Sequence, residues 1–432
     1  MTACSADLDQ SPPNLASADS LTDFEGVLNA AYYYQLASVT PLAVMADFRA
    51  DNARMQEAPY TEFDTFTSNL TTMEDQFFGP LYTAMYKSIL SANNVIENST
   101  DATQVAEAKF LRALSYFKLV KSFGAVTINL SAAPSLTDTS ILARSSAEEV
   151  YNDVIIPDLN DAIAGLGTAI VDGRASKYAA QALLGKAYAA KGDYASAASN
   201  LATVINGAAG AGISLKSNFN EIFGAAYESG NSEIIYSTRI TGSIVDEYSF
   251  GSDFWNWFVG DDSKSDLPVD PSLVAAFDAS DANGGGTDLR RAVTLSADGL
   301  KAVKFPKDGG LGTEHDWIEI RLADVILLYA EALNQTGSPA STVLALLDPI
   351  RTRAGLTSLV GTASTQAEVS QAISNERRLE LAFEGHRWFD LVRTNSVDAA
   401  MGQSVNSNYH VFPIPVSEIL ATGGVITQNA GY

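Results

Sequence analysis

Cysteine is nearly missing from this 432-residue chain: Cys4 stands alone, so no internal disulfide can form. Histidine is almost as scarce, with only His315, His386 and His410, which leaves little for a zinc site. Positive charge is in short supply as well. Lys and Arg number 27 against 51 Asp and Glu, a formal net charge of −24. Such a chain repels phosphate backbones and anionic lipid, which weighs against nucleic-acid binding and basic-patch membrane attachment. No apolar run approaches the roughly 18 residues of a membrane-crossing helix; the richest stretch, 323–333, carries Asp324 and Glu331. Catalytic signatures are absent too: no G-x-S-x-G elbow, phosphate loop, H-E-x-x-H pair or kinase set occurs. Carboxylate pairs are numerous, but with 51 acids chance pairs are inevitable.

What is present is enough apolar sequence for a sizeable core, 46% of residues. The start lacks a charged and apolar leader pattern. Its opening, Met1-Thr2-Ala3-Cys4, has the small residue before Cys that ends a bacterial lipoprotein signal; the alternative is an incidental Cys behind a starting methionine. Residues 5–20 are polar with Pro12-Pro13 and read as an extended tether. From about residue 21 the apolar spacing turns helical, through Phe24, Val27, Leu28 and Ala31. Further helices are expected at 77–97 and 102–123, the latter closed by Gly124. Ser146 and Glu149 have the spacing of a capping box, opening a helix that tolerates Pro157 or ends near it.

The clearest repeat signal spans 175–206. Leu184, Gly185, Tyr188, Ala197, Leu201 and Val204 fall at tetratricopeptide offsets around a Gly192-Asp193 turn. A weaker copy runs over 322–350, with Ala330, Leu333 and Leu346 about a turn at Gly337. Such helix pairs cannot bury their faces alone and must stack. The expected class is therefore mainly α: a tetratricopeptide-like helix-pair scaffold at about 21–206 and 319–395, followed by a C-terminal segment at 396–432. An irregular, Gly-rich, short-stranded insertion occupies about 207–318. Within it, 233–240 reads as a buried strand, and 251–266 and 278–291 read as loops. Asp281 and Asn283 begin a calcium-loop-like spacing, but Gly285 and Ala292 stand where further ligands are needed.

Two segments carry candidate binding chemistry. Trp255 and Trp257 are flanked by Phe254 and Phe258, with Tyr248 and Phe250 before them and Asp253, Asn256, Asp261 and Asp262 around them. A flat uncharged ring suits the C–H face of a sugar, while neighbouring amides and carboxylates bond its hydroxyls. In an extended segment Trp255 and Trp257 share one face, leaving Phe254 and Phe258 to pack. The competing reading is a loop that tucks its own aromatics into the core. The second segment, 46–69, mixes Asp47, Arg49, Asp51 and Arg54 with Tyr60, Phe63 and Phe66; its competing reading is a solvated connection between helices. Trp317 reads as core. The charged stretch 375–393 reads as architecture, with Arg377–Glu380, Glu384–Arg387 and Arg387–Asp390 each three apart on a helix.

That stretch resembles the C-terminal signature of the SusD/RagB family, close to N-E-R-R-x-E-L-x-F-E-G-x-R-x-x-D-L-x-R. Asn375, Glu376, Arg377, Arg378, Glu380, Leu381, Phe383, Glu384, Gly385, Arg387, Asp390, Leu391 and Arg393 fill it. Pro413, Pro415, Glu418, Gln428, Asn429, Gly431 and Tyr432 resemble the family's terminus, and matches at 107–113, Asp288, Arg290, Arg321, Asp324 and 330–332 keep the same order. The resemblance implies an outward-facing outer-membrane lipoprotein, anchored through Cys4, with Asp7 and Asp9 as an acidic export signal. It implies oligosaccharide binding for a SusC-like TonB-dependent transporter, without catalysis, cofactor or metal. The alternative is a transporter lid for a peptide or other non-glycan nutrient. Phe66 and Asn69 fall where some relatives have an aromatic and an amide three apart, and Arg49 or Arg54 where an arginine precedes them. The candidate ligand-binding residues are thus Trp255, Trp257, Tyr248, Phe66, Asn69, Arg49 and Asp47.

Overall fold

The computed structural model describes residues 23–432 apart from 59, 136, 241–253, 260–266 and 308–313. Cys4, the 5–20 tether and Tyr248 lie outside the described residues. Helices α1 (Glu25–Tyr34), α2 (Val39–Asp47), α3 (Gly79–Asn98) and α4 (Ala102–Phe123) form the first layer. α3 and α4 pack along their lengths, and α1 lies against both. Local chemistry sets their ends. Pro80 occupies the first turn of α3, and Asp101 caps α4 by accepting from the amides of Thr103 (2.8 Å) and Gln104 (3.2 Å). Gly124, at φ 72°, stops α4 where the sequence placed its end.

A two-stranded antiparallel ribbon, β1 (Val126–Thr127) with β2 (Arg144–Ser145), follows. The capping box at Ser146 and Glu149 is formed and opens α5 (Ala147–Val150), a wide turn, and α6 (Ile156–Gly165), which accommodates Pro157 in its first turn. Next come α7 (Lys177–Lys191) and α8 (Tyr194–Ala208), the expected hairpin. Ser176 and Asp193 cap them, and Gly192 turns the chain at φ 78°. Gly185 has the role its offset implied: a Cβ there would sit 2.6 Å from Leu201 Cγ, so only glycine permits this approach.

The insertion holds more helix than its composition suggested. The strand expected at 233–240 is β3 (Ile234–Thr238), buried throughout. Then come α9 (Phe254–Val259), α10 (Pro271–Gly284) and α11 (Arg291–Thr294). The loop reading of 278–291 is corrected over its first half. Asp270 caps α10 through the Ser272 amide (2.8 Å) and Pro271 sets its first turn, a start signal upstream of the Gly-rich run. Asp281 accepts the Asp288 amide and Asn283 donates to the Ala279 carbonyl (2.8 Å), so both are engaged within the chain.

β4 (Trp317–Arg321) pairs antiparallel with β3, setting Ile234 opposite Arg321 and Thr238 opposite Trp317. It runs directly into α12 (Leu322–Gln335), which is followed by α13 (Ala340–Ala345), α14 (Asp348–Arg353) and α15 (Gln366–Glu380). α12 is two-sided. Leu322, Val325 and Leu328 join the main core, while Ala323, Leu327 and Ala330 join a second cluster with Val343, Leu344, Val369 and Ile373. Gly337 turns the chain between α12 and α13 at φ 83°. The chain ends with α16 (Arg387–Arg393), α17 (Val397–Met401) and α18 (Val416–Ala421).

Candidate functional site

The two candidate segments meet. α9 packs on α2, with the Trp257 ring 5.0 Å from Tyr60, 5.3 Å from Phe77 and 6.4 Å from Phe48. Phe258 stacks on Phe48 at 5.2 Å. The exposed-ring reading of α9 is corrected: Trp255 and Trp257 are 6% and 1% exposed, and Phe254 and Phe258 are equally enclosed. Helical spacing explains it. At about 100° per residue, positions 254, 255, 257 and 258 cover one arc of about 160°, and Asn256 alone points away. Trp255 is further held by its Nε1–H donating to the Phe305 carbonyl (3.0 Å). These rings form the floor beneath Tyr60, which is half-buried and donates to Gln76 Oε1 (2.8 Å).

Asp47 is also interior. It is fully buried and accepts from Asn52 Nδ2 (2.8 Å) and the amides of Phe383 (3.1 Å) and Gly385 (3.2 Å). Burial lifts its carboxyl to about 6 against those bonds. It thereby clamps the turn in which Phe383 (φ 66°) and Gly385 (φ 74°) both take left-handed backbone, so its ligand-contacting role is replaced by a structural one.

Arg49 is 1% exposed and lies beside a pair of stacked rings. Its Cζ is 4.2 Å from the Phe66 centroid and 5.5 Å from that of Trp388, and those rings are near-parallel at 5.8 Å. Nη1 donates to the Phe63 carbonyl (2.5 Å), but Nε and Nη2 find no acceptor among the described residues. Burial lowers the guanidinium to about 10, while Tyr432, Asp64 and Tyr409 favour its charged form. Phe66 itself sits at φ 50°, an uncommon place for an aromatic residue, and is 9% exposed. Asn69, on the short helical turn Ser68–Met73, is exposed, and its side-chain amide bonds to none of the described residues.

Around Arg49 lie groups the sequence reading did not assign to a site. Trp388 is fully buried, donates to the His410 carbonyl (3.2 Å), and meets the His410 ring edge-on at 6.2 Å. Tyr409 and Tyr432 pack edge to face at 5.4 Å; with His410 they are half-buried. Tyr432 donates to the Val411 carbonyl (3.1 Å). Tyr409, His410 and Tyr432 form a partly exposed patch over an arginine–aromatic cluster, and the exposed Asn69 follows Phe66 by three residues. The patch offers ring faces and uncharged hydrogen-bonding groups, a combination suited to polyhydroxylated ligands.

The 375–393 network holds this patch in place, but not through the expected local pairs. Arg377–Glu380 and Arg387–Asp390 each lie within one helix, but partners from distant segments take these side chains; only Glu384–Arg387 is split by the end of α15 at Glu380. Glu380 instead receives Arg321 (2.7 Å), Arg290 (3.1 Å) and Arg353. Glu384 pairs with Arg321 (2.7 Å) and Lys304 (2.5 Å), Arg377 with Asp324 (2.9 Å) and Asp390 (3.0 Å), and Arg387 with Asp51 (2.7 Å). These bonds tie the insertion, β4, the second repeat and the 46–69 segment to one turn.

A helix-pair scaffold with an irregular insertion and an aromatic patch built from 46–69 and the C-terminal segment has the architecture of SusD-type proteins. Two family models match: the SusD family over residues 282–432, and a family described as starch-binding and associating with the outer membrane over residues 7–189. The chain belongs to the SusD/RagB family. It is 25% identical over 494 aligned residues to SusD-like protein P2 of Formosa agariphila, covering 100% of this chain and 97% of that one. A solved structure named as a laminarin binding SusD-like protein matches with a TM-score of 0.76 and 26% identity, over 95% of this chain and 99% of that one. A SusD superfamily protein of Parabacteroides distasonis matches in fold with a TM-score of 0.79 at 22% identity, over 97% and 100% of the two chains.

Proposed function

We propose that this protein binds an oligosaccharide outside the cell and delivers it to a SusC-like TonB-dependent transporter, without acting on it chemically. The observation that carries the reading is the half-buried Tyr409–Tyr432 pair beside the buried cluster of Arg49, Phe66 and Trp388, with the exposed amide of Asn69 three residues along the chain from Phe66. Sugar rings lie on Tyr409 and Tyr432, with Phe66 packed behind them, and hydroxyls bond Asn69 and the phenols. Family membership and the outer-membrane description of one matching model support attachment there, with Cys4 as the lipid-bearing residue. Delivery calls for weak binding, on the order of µM to mM.

Calorimetry against laminarin oligosaccharides, other neutral glucans, charged glycans and peptides tests the reading, because one neighbouring structure is named for laminarin binding. A neutral glycan is expected to bind saturably, and Asn69→Ala to weaken it about tenfold with the melting temperature unchanged. Binding of peptides alone would overturn the glycan reading and leave the transporter-lid alternative.

A further inference from the structure

A cavity of about 310 Å3 opens among α4, α7 and α16, within the range of ordinary ligand pockets. It shares no lining residue with the Arg49 patch. Its walls are largely apolar, including Phe117, Leu183, Ala190, Leu328, Phe389 and Val392. Charged groups also line it, and nearly all are paired. Lys118 meets Glu319 (2.5 Å) and Lys186 meets Asp324 (2.5 Å). Arg377 and Arg393 share Asp390 (3.0 and 2.8 Å), and Glu384 is held by Arg321 and Lys304. Burial, with Lys186 beside it, pushes His386 down to about 4, so it is neutral at physiological pH.

Lys121 is the surplus cation. Its ammonium forms no hydrogen bond or ion pair with the described residues, and ring faces flank it, Phe389 at 4.6 Å and Phe117 at 5.7 Å. Burial, joined by the like charges of Lys118 and Lys186, lowers it to about 7 even though Glu319 and Asp390 oppose the shift. A wholly apolar occupant leaves that ammonium unmatched. A cationic one adds repulsion. A single anionic group at one end of a hydrocarbon body answers both features.

We propose that this cavity binds a small amphiphilic carboxylate, its carboxylate on Lys121 and its hydrocarbon against Phe117, Leu183 and Phe389. The proposal is independent of the glycan reading, since the two sites share no residue. Calorimetry on the full chain with octanoate, octan-1-ol and octylamine tests it. Octanoate is expected to bind saturably at one site, and the alcohol and amine at least about tenfold more weakly. Lys121→Met is expected to cost octanoate the same factor and spare octan-1-ol; Lys121→Arg is expected to retain octanoate; Ala190→Phe is expected to block all three. Absence of saturable octanoate binding at millimolar concentration, or equal affinity for octanoate and octan-1-ol, overturns the proposal using the unmodified protein alone. Unchanged octanoate affinity in Lys121→Met overturns it as well.

Discussion

The Arg49 guanidinium lies 4.2 Å from the centre of the Phe66 ring, so the most buried cation of the 46–69 segment is covered by the segment's own aromatic. Phe66 pays in backbone strain for that position, at φ 50°. A cation over a ring in a desolvated setting is worth about 2 kcal/mol. Among the described residues two of the guanidinium nitrogens lack a hydrogen-bond acceptor, so the ring adds to what the Phe63 carbonyl and the nearby Tyr432 and Asp64 supply.

Phe66→Ala should therefore expose Arg49 and remove the ring that backs the patch. Glycan affinity is expected to fall about tenfold or more, with a stability loss of about 1–3 kcal/mol. Phe66→Trp keeps a ring over the guanidinium and should retain binding. Calorimetry and urea melts on the pair decide it; equal affinity for the Ala variant and the parent would remove Phe66 from the site.

Trp257→Ala is expected to act on the fold. The ring is enclosed by Phe48, Tyr60 and Phe77, and its loss leaves a cavity worth about 3–5 kcal/mol. The melting temperature should drop by several degrees. A Trp257→Ala protein as stable as the parent, but with weakened glycan binding, would reverse this assignment and restore the exposed-ring reading.

How much of this was legible in the sequence follows from the range of the contacts involved. The α7–α8 hairpin was readable because Leu184, Gly185, Tyr188 and Leu201 repeat at short offsets and touch within one hairpin. α9 was not, because Phe254-Trp-Asn-Trp-Phe258 is compatible with strand alternation as well as with a helical arc; tertiary packing decides. The Arg49 patch was half visible: Arg49, Phe66 and Asn69 lie close in the chain, but Trp388, Tyr409 and Tyr432 arrive from the far end and carry no local signal. The charged motif is architectural, as its density of paired charges implies, but its partners are not legible locally because Arg321, Asp324 and Asp51 reach it from distant parts of the chain.

Gly185 gives a direct test of the hairpin. Glycine inside a helix costs roughly 0.5–1 kcal/mol relative to alanine, so an open site would gain that amount on substitution. Here the added Cβ meets Leu201 Cγ at 2.6 Å and Cδ2 at 2.7 Å, and overpacking costs about 1–3 kcal/mol. The clash outweighs the gain, so Gly185→Ala should lower stability. Adding Leu201→Ala should recover part of the loss relative to Leu201→Ala alone. Urea midpoints of the four proteins measure the coupling, and additive effects would mean the two helices do not meet as described.

Glu380 ties the fold to pH. It is fully buried, and burial by itself would raise its carboxyl; Arg353, Arg321 and Arg290 more than offset that and hold it well below the usual range. An unfolded glutamate titrates near ~4.3. A group lowered on folding contributes stability that is complete above the unfolded value and lost as pH falls beneath it, because the unfolded chain then takes up the proton first. Glu380→Gln keeps the shape but leaves three buried guanidiniums short of a counter-charge, a cost of about 3–5 kcal/mol at pH 7. The gap between parent and variant should hold from pH 7 down to about 5 and narrow steadily below about 4. Subtracting one melt from the other cancels the remaining carboxylates. A gap that stays constant down to pH 3 would mean that Glu380 keeps an ordinary carboxyl and that the guanidiniums are balanced by Glu376 and Glu384 without it.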